Sequence, residues 1–245
     1  MKIDLNCDMG EGCGNDDELM NYISSANIAC GFHAGDAATM RKTVDAAIEK
    51  GVAIGAHPGY ADRDNFGRTE MQLPPKKVIA LVAEQIARLN EITVAAGGRL
   101  SHVKPHGALY NRSARDPELA AAIAQAVFEF DPGLILFGLS ESVSISEAAK
   151  IGLRTASEVF ADRTYQNDGS LTPRSEPNAL IRDTGASIGQ VLDMIKYGRV
   201  RSTDAIMVPI AAETVCIHGD GEHAVAFAKA ISKSLTSAGV RIEAL

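Results

Sequence analysis

Four of the chain's six histidines fall at or just past the end of an apolar, strand-like run, each with other polar or charged residues beside it. The segments are NIACGFHAGD (27–36) with His33, IGAHPG (54–59) with His57, HVKPHG (102–107) with His106, and TVCIHGD (214–220) with His218. A fifth run, IDLNCD (3–8), opens the chain and leads into a glycine-rich, acidic turn. A chain that repeatedly delivers ionisable groups to strand ends is assembling one polar site at the rim of a sheet or barrel. That is where (β/α) enzymes hold their chemistry.

The segments between these runs read as helices. Asp36 is placed to cap a helix over residues 37–50, whose Met40, Val44, Ala47 and Ile48 share a face and which Gly51 stops. Pro74 and Pro75 open a helix to about residue 96, and Asp116-Pro117 opens another that ends at Asp131-Pro132-Gly133. Further helices are expected over residues 141–149 and 222–237. Strands are expected at 2–7, 26–30, 52–56, 100–104, 134–139 and 155–160. Residues 205–209 and 214–217 supply one or two more, and 241–244 a last extended piece. Residues 161–177 carry Gly, Ser and two prolines and read as a functional loop or lid.

Successive strand side chains point to opposite faces. Asp4, Asn6 and Asp8 share one face of the first strand, and Ile3, Leu5 and Cys7 the other. His102, Lys104 and His106 fall together, as do Glu158 with Asp162, and Thr214 with Cys216, His218 and Asp220. A doubly wound sheet would leave both faces apolar. The pattern favours an α/β, TIM-like (β/α) barrel of seven or eight mostly parallel strands, built as one domain over residues 1–245.

A net charge of −7 excludes the basic stripe that nucleic acid demands. No apolar run reaches the length of a membrane span, and the opening MKIDLNCD reads as a strand rather than a signal peptide. Cys7, Cys13, Cys30 and Cys216 lack any CxxC spacing, so a reducing, cytoplasmic setting is expected.

The turn MGEGCG (9–14) matches neither GxGxxG nor a Walker motif, and Glu11, Asp16, Asp17 and Glu18 would repel phosphate. A metal-holding or turn-forming loop is the better reading. His33 and Asp36, with Asp8, His57 and His106, form a candidate site for Zn²⁺ or Mn²⁺. Hydrogen bonding in a polar barrel mouth competes for the histidines, and the helix cap is preferred for Asp36. Lys104 could bind a carboxylate, polarise a carbonyl or act as a base, or instead bridge to Glu158 or Asp8. Glu158, Asp162 and Arg163 offer an acid/base pair and an anion clamp. Arg68 and Arg174 sit in loops, and His102 and His223 are assigned to structure. No GxSxG elbow appears.

Taken together, DLNCDMGEG (4–12), ANIACGFHAGD (26–36), GAHPGY (55–60), FGR (66–68), HVKPHGALYN (102–111), EVFADRTY (158–165), LTPRS (171–175) and CIHGD (216–220) resemble the LamB/YcsF family over nearly the whole chain. Cys13, Thr69 and Gly221 depart from its pattern without removing a candidate catalytic group. The resemblance implies a barrel of the glycoside hydrolase/deacetylase type. It also implies cleavage of 5-oxo-L-proline to L-glutamate coupled to ATP hydrolysis, with partner subunits B and C and ATP as co-substrate. A five-membered lactam is a poor electrophile, and phosphorylating its carbonyl oxygen makes the ring carbon open to attack by water, after which the ring nitrogen can leave. On this reading Asp8, His57, His106 and Glu158 supply the catalytic groups. Asn6, Lys104, Asp162, Arg163, Arg174 and His218 bind substrate. A homo-oligomer is left open. The rivals are a stand-alone metal-dependent amide hydrolase or sugar deacetylase, and a non-catalytic binding subunit.

Overall fold

A computed structural model describes residues 1–218 and 224–245. Strands and helices alternate as β1 (Lys2–Met9), α1 (Asp16–Leu19), β2 (Ser25–Ala29), α2 (Ala37–Lys50), β3 (Ala53–His57), α3 (Pro75–Ala95), β4 (Leu100–Val103), α4 (Gly107–Ser113), α5 (Pro117–Phe130), β5 (Ile135–Leu139), α6 (Val143–Lys150) and β6 (Arg154–Phe160). The remainder is α7 (Thr184–Tyr197), β7 (Arg199–Arg201), β8 (Met207–Pro209), β9 (Thr214–Ile217), α8 (Ala224–Ser237) and β10 (Arg241–Ile242). Asp220, Gly221, Glu222 and His223, on which some of the sequence expectations fall, lie outside the described residues.

Strands β1 to β6 pair in chain order, all parallel, and β9 closes the barrel by pairing with β6 on one side and β1 on the other. The barrel therefore has seven strands. The two residues of β10 extend the sheet beside the start of β1, with Lys2 opposite Arg241. One expectation is corrected here. The 205–209 segment adds no barrel strand, because Met207–Pro209 pairs antiparallel with Arg199–Arg201 in a separate hairpin. Helix α7, which the sequence reading leaves unassigned, leads into that hairpin.

The strand alternation explains why the sheet closes. Leu5, Cys7, Ile28 and Val103 are fully buried in the apolar core. The opposite faces of the same strands carry polar groups that a flat sheet would leave orphaned, and inside the barrel they pair with each other. The Asp4 carboxylate accepts from Ser24 Oγ and Ser25 Oγ at 2.6 Å each, and from Thr214 Oγ1. Asn27 Nδ2 donates to Asn6 Oδ1 at 2.8 Å, and His102 Nε2 donates to Asn27 Oδ1 at 2.8 Å. His102 also stacks on Phe137 at 4.2 Å, in the structural role expected of it. Gly55 makes room for that ring: a Cβ there would lie 2.0 Å from His102 Nε2.

The helices begin and end as their sequence signals dictate. Asp36, Asp116 and Asp183 accept hydrogen bonds from the backbone N–H groups of Thr39, Leu119 and Ala186. Gly51 and Gly198 end α2 and α7 in the left-handed conformation. Cys7, Cys13, Cys30 and Cys216 are all free thiols. Among the described residues no helix is long and apolar enough to cross a membrane.

Candidate active site

The carboxyl ends of the strands open into a cavity of about 720 Å³. Its wall includes Asp8 and Glu11 from the end of β1 and beyond, His57 from β3, Lys104 and His106 after β4, and Phe160 and Arg163 at and after β6. His218 follows β9, and the long loop after β6 covers one side with residues 168–174.

The floor is organised around Lys104, which is 2% exposed. Its Nζ lies 2.8 Å from Asp8 Oδ1 and 2.9 Å from Glu158 Oε1, with Asn6 Oδ1 at 3.3 Å and Cys216 Sγ at 3.1 Å. Burial pushes the ammonium's pKa down, but Asp8, Cys216 and Glu158 together carry it well above the usual lysine value. Lys104 is thus a fixed positive charge and not a base. Burial likewise raises the Asp8 carboxyl, yet His57 and Lys104 outweigh it and hold Asp8 well below the ordinary range.

A second group lies beside the first. His57 Nδ1 donates to the Lys104 carbonyl at 2.7 Å, and His106 Nε2 donates to the Phe66 carbonyl at 2.9 Å. The opposite nitrogens, His57 Nε2 and His106 Nδ1, meet at 2.9 Å. Glu11 Oε1 lies 3.3 Å from His33 Nε2, 3.3 Å from His106 Nδ1 and 3.8 Å from His57 Nε2. The His33 and His106 rings stack at 3.8 Å with 4° between their planes. Burial, above all, depresses the pKa of His33 to about 3 and of His106 to about 2. His57 goes the other way: burial lowers it, but the Asp8 carboxylate at 3.3 Å raises it further. Gly67, at φ 65°, gives the stacked rings their space, since a Cβ there would lie 2.8 Å from His33 Cβ.

Over the opposite side, Arg163 ties down the long loop, donating to the Thr172 carbonyl at 2.6 Å and the Ala179 carbonyl at 3.3 Å. Arg174 Nη2 donates to His218 Nε2 at 2.8 Å, and His218 Nδ1 donates to the Asp162 carboxylate at 2.8 Å. Hence Arg174, on the exposed edge of the loop, reaches across the cavity mouth through one histidine.

Of the residues nominated from sequence, Asp8, His57, Lys104, His106, Arg163, Arg174 and His218 line the cavity. Four assignments are corrected. Asn6 is fully buried beneath the floor, its Nδ2 spent on Glu158 and Thr214 and its Oδ1 on Asn27 and Lys104, so it has nothing left for a substrate. Glu158 is also fully buried and serves as the counter-charge of Lys104 rather than as a group facing the cavity. Asp162 orients His218 from behind. Asp36 caps α2 through Thr39 and stands outside the histidine cluster, where Glu11 takes the carboxylate position. Tyr110 is a cavity residue that the sequence reading missed. Its phenol is raised well above the usual value by burial and by the Glu158 carboxylate, and its ring meets Phe160 at 5.8 Å. Only its place one turn beyond His106 hinted at this.

The seven-stranded parallel barrel, with its chemistry gathered at the carboxyl ends, defines a (β/α)-barrel enzyme with a charged, ion-paired mouth. The model of the LamB/YcsF family matches residues 3–245, and the chain belongs to that family. It is 54% identical over 247 residues to the A component of 5-oxoprolinase from Brevibacillus brevis, spanning 99% of this chain and 97% of that protein. The crystal structure of the lactam utilization protein from Thermus thermophilus superposes with a TM-score of 0.94 at 45% identity, with 100% of each chain covered. A family 4 carbohydrate esterase from Streptomyces lividans, in complex with acetate, shares the fold at a TM-score of 0.53 and 15% identity, over 98% of this chain and 91% of that one.

Proposed function

We propose that this chain acts as the A component of an ATP-dependent 5-oxoprolinase, opening the lactam of 5-oxo-L-proline to L-glutamate in company with subunits B and C. The observation that carries the reading is the Asp8–Lys104–Glu158 array at the floor of the cavity, in a chain 54% identical to a protein named for that role. Lactam opening requires a base for water, a positive charge near the carbonyl and an anchor for the substrate carboxylate. Asp8 serves as the base: it borders the cavity, and Lys104 fixes one of its oxygens and leaves the other for water. Lys104 faces the negative charge that develops on the opening carbonyl. Arg174 pairs with the substrate carboxylate at the mouth, with His218 and Asp162 behind it.

Among the described residues the cavity lining includes no glycine-rich phosphate loop, which fits ATP handling shared with a partner subunit. The test is glutamate release from 5-oxoproline by the purified chain, with and without ATP and with and without subunits B and C. The reading expects release only when all are present. Release by the chain alone, without ATP, would replace it with the stand-alone amide hydrolase.

A further inference from the structure

Hydrogen-bond directions fix where the protons sit around Glu11, His57 and His106. A backbone carbonyl only accepts, so His57 Nδ1 and His106 Nε2, at 2.7 and 2.9 Å from the carbonyls of Lys104 and Phe66, each carry a hydrogen. In a neutral imidazole the other nitrogen is then a lone pair. Those two lone pairs, His57 Nε2 and His106 Nδ1, face each other at 2.9 Å. A third acceptor, Glu11 Oε1, joins them at 3.3 Å from His106 Nδ1 and 3.8 Å from His57 Nε2. Lys104 is committed to Asp8 and Glu158.

One proton on His57 relieves only part of this. It reaches His106 or Asp8 and leaves Glu11 Oε1 opposed to the lone pair of His106. A cation at the centre satisfies all three atoms. Four tetrahedral donors at zinc–nitrogen distances stand about 3.3 Å apart. The observed separations of 2.9, 3.3 and 3.8 Å bracket that spacing. The carbonyls behind His57 and His106 are the kind of outer anchors that fix a ligating imidazole's tautomer and orientation.

His33 belongs to the same cluster but is set differently. Its ring lies parallel to that of His106, 3.8 Å away at 4°. An ion in the plane of the His106 ring therefore sits far out of the plane of His33, where that ring has no lone pair. His33 Nε2 can instead donate to Glu11 Oε1 at 3.3 Å.

We propose that Glu11, His57 and His106 hold one divalent transition-metal ion at the barrel mouth, with His33 as a positioning residue for Glu11. Two imidazoles and a carboxylate suit Zn²⁺ and its neighbours better than Mg²⁺ or Ca²⁺, which prefer all-oxygen sites. Three protein ligands leave coordination open toward the cavity, as in catalytic rather than structural zinc sites. Such an ion would supply Lewis-acid assistance to the water or carbonyl next to Asp8. The site stands on its own geometry, whatever the substrate, and binding rather than turnover decides it. Failure here leaves the lactam reading to the glutamate assay.

The test is titration of the chelator-stripped full chain with Zn²⁺ by calorimetry, and with Co²⁺ followed by its visible absorption. The expected result is one ion per chain. Glu11→Gln and His106→Ala should weaken binding by more than about 100-fold, while His33→Phe weakens it by about 10-fold and keeps the shape of the Co²⁺ spectrum. Asp36→Ala should bind as the parent does. Far-UV circular dichroism establishes that each variant is folded, and Glu11→Gln, nearly isosteric at a cavity wall, keeps the test sound if His106→Ala does not fold. Folded parent protein that takes up no stoichiometric ion overturns the proposal. So does Zn²⁺ affinity that stays within about threefold in Glu11→Gln, which would place the ion elsewhere. A Co²⁺ spectrum altered by His33→Phe overturns the positioning role and makes His33 a ligand.

Discussion

The two halves of the cavity floor are built from similar materials and differ in completeness. Around Lys104 every charge meets an opposite one: the ammonium lies between Asp8 and Glu158 at 2.8 and 2.9 Å, and Asn6 fills the remaining space. Around Glu11 donors are in short supply: His57 Nε2 and His106 Nδ1 meet at 2.9 Å with Glu11 Oε1 3.3 Å from the latter, and His33 Nε2 supplies one hydrogen bond to Glu11. The first half is charge-matched by the fold, although Glu158 Oε2 makes no hydrogen bond. The second is shaped by the fold but asks for something further, and that difference separates the scaffold of the site from its working part.

The contrast stands or falls most sharply on removing one member from each half. Lys104→Met strands the Asp8 and Glu158 carboxylates in a buried place and should cost about 3–5 kcal/mol of stability. His106→Ala in metal-free protein removes one of the opposed acceptors and should cost less than half as much, although His106 is nearly as buried. Urea unfolding of both variants decides this, and equal costs would mean that the halves do not differ.

The next effect is on substrate. Arg174→Ala should raise KM by about 10- to 100-fold, the worth of one charge-assisted hydrogen bond. Stability should stay within about 0.5 kcal/mol, because the side chain is exposed. Steady-state kinetics of the reconstituted complex, beside a thermal melt, separates the two.

How much of this is legible in the sequence follows from the same contrast. Period-two alternation in IDLNCD and HVKPHG puts Asp4, Asn6, Asp8, Lys104 and His106 on inward faces, and the Lys104 bridges to Asp8 and Glu158 are among the readings it allows. Alternation gives the face but not the depth. Asn6 and Glu158 share the inward side with Asp8 yet are fully buried below the floor, because depth in a barrel depends on the stagger between strands, which no single segment encodes. Asp36 reads as a cap from its place before a helix, and it is one. Glu11 sits in an irregular turn, where its approach to three histidines depends on loop geometry rather than on any period. Helix α7 goes unread because Gly185 and Gly189 interrupt its pattern, and which of the 205–209 and 214–217 segments joins the barrel is a matter of tertiary pairing.

Acid acts on the charge-matched half. Asp8 titrates below its unfolded value of about 3.9, so its ion pairs contribute stability that is fully present above about pH 4. That contribution is lost as pH falls through the lower folded value. The stability lead of the parent over Asp8→Asn should thus shrink below about pH 4 by up to about 1.4 kcal/mol for each unit by which the folded value is depressed. A lead that is constant with pH would show that the pairing does not hold in solution. The smallest effect belongs to Asp36→Ala, which should lower the thermal midpoint slightly through the lost helix cap and leave turnover unchanged; a large loss of turnover would restore it to the site.

The lactam reading of the barrel mouth is tested most directly by one assay: glutamate release by the proposed complex of this chain with subunits B and C when this chain carries Asp8→Asn. Lys104 keeps its pairing with Glu158 in that variant, so the barrel and the assembly are expected to persist. Turnover should fall by about 10²–10⁴-fold, the usual worth of a positioned base, with the complex intact by size-exclusion chromatography. Turnover within twofold of the parent, from an equally intact complex, would mean that the lactam is opened somewhere other than this barrel mouth.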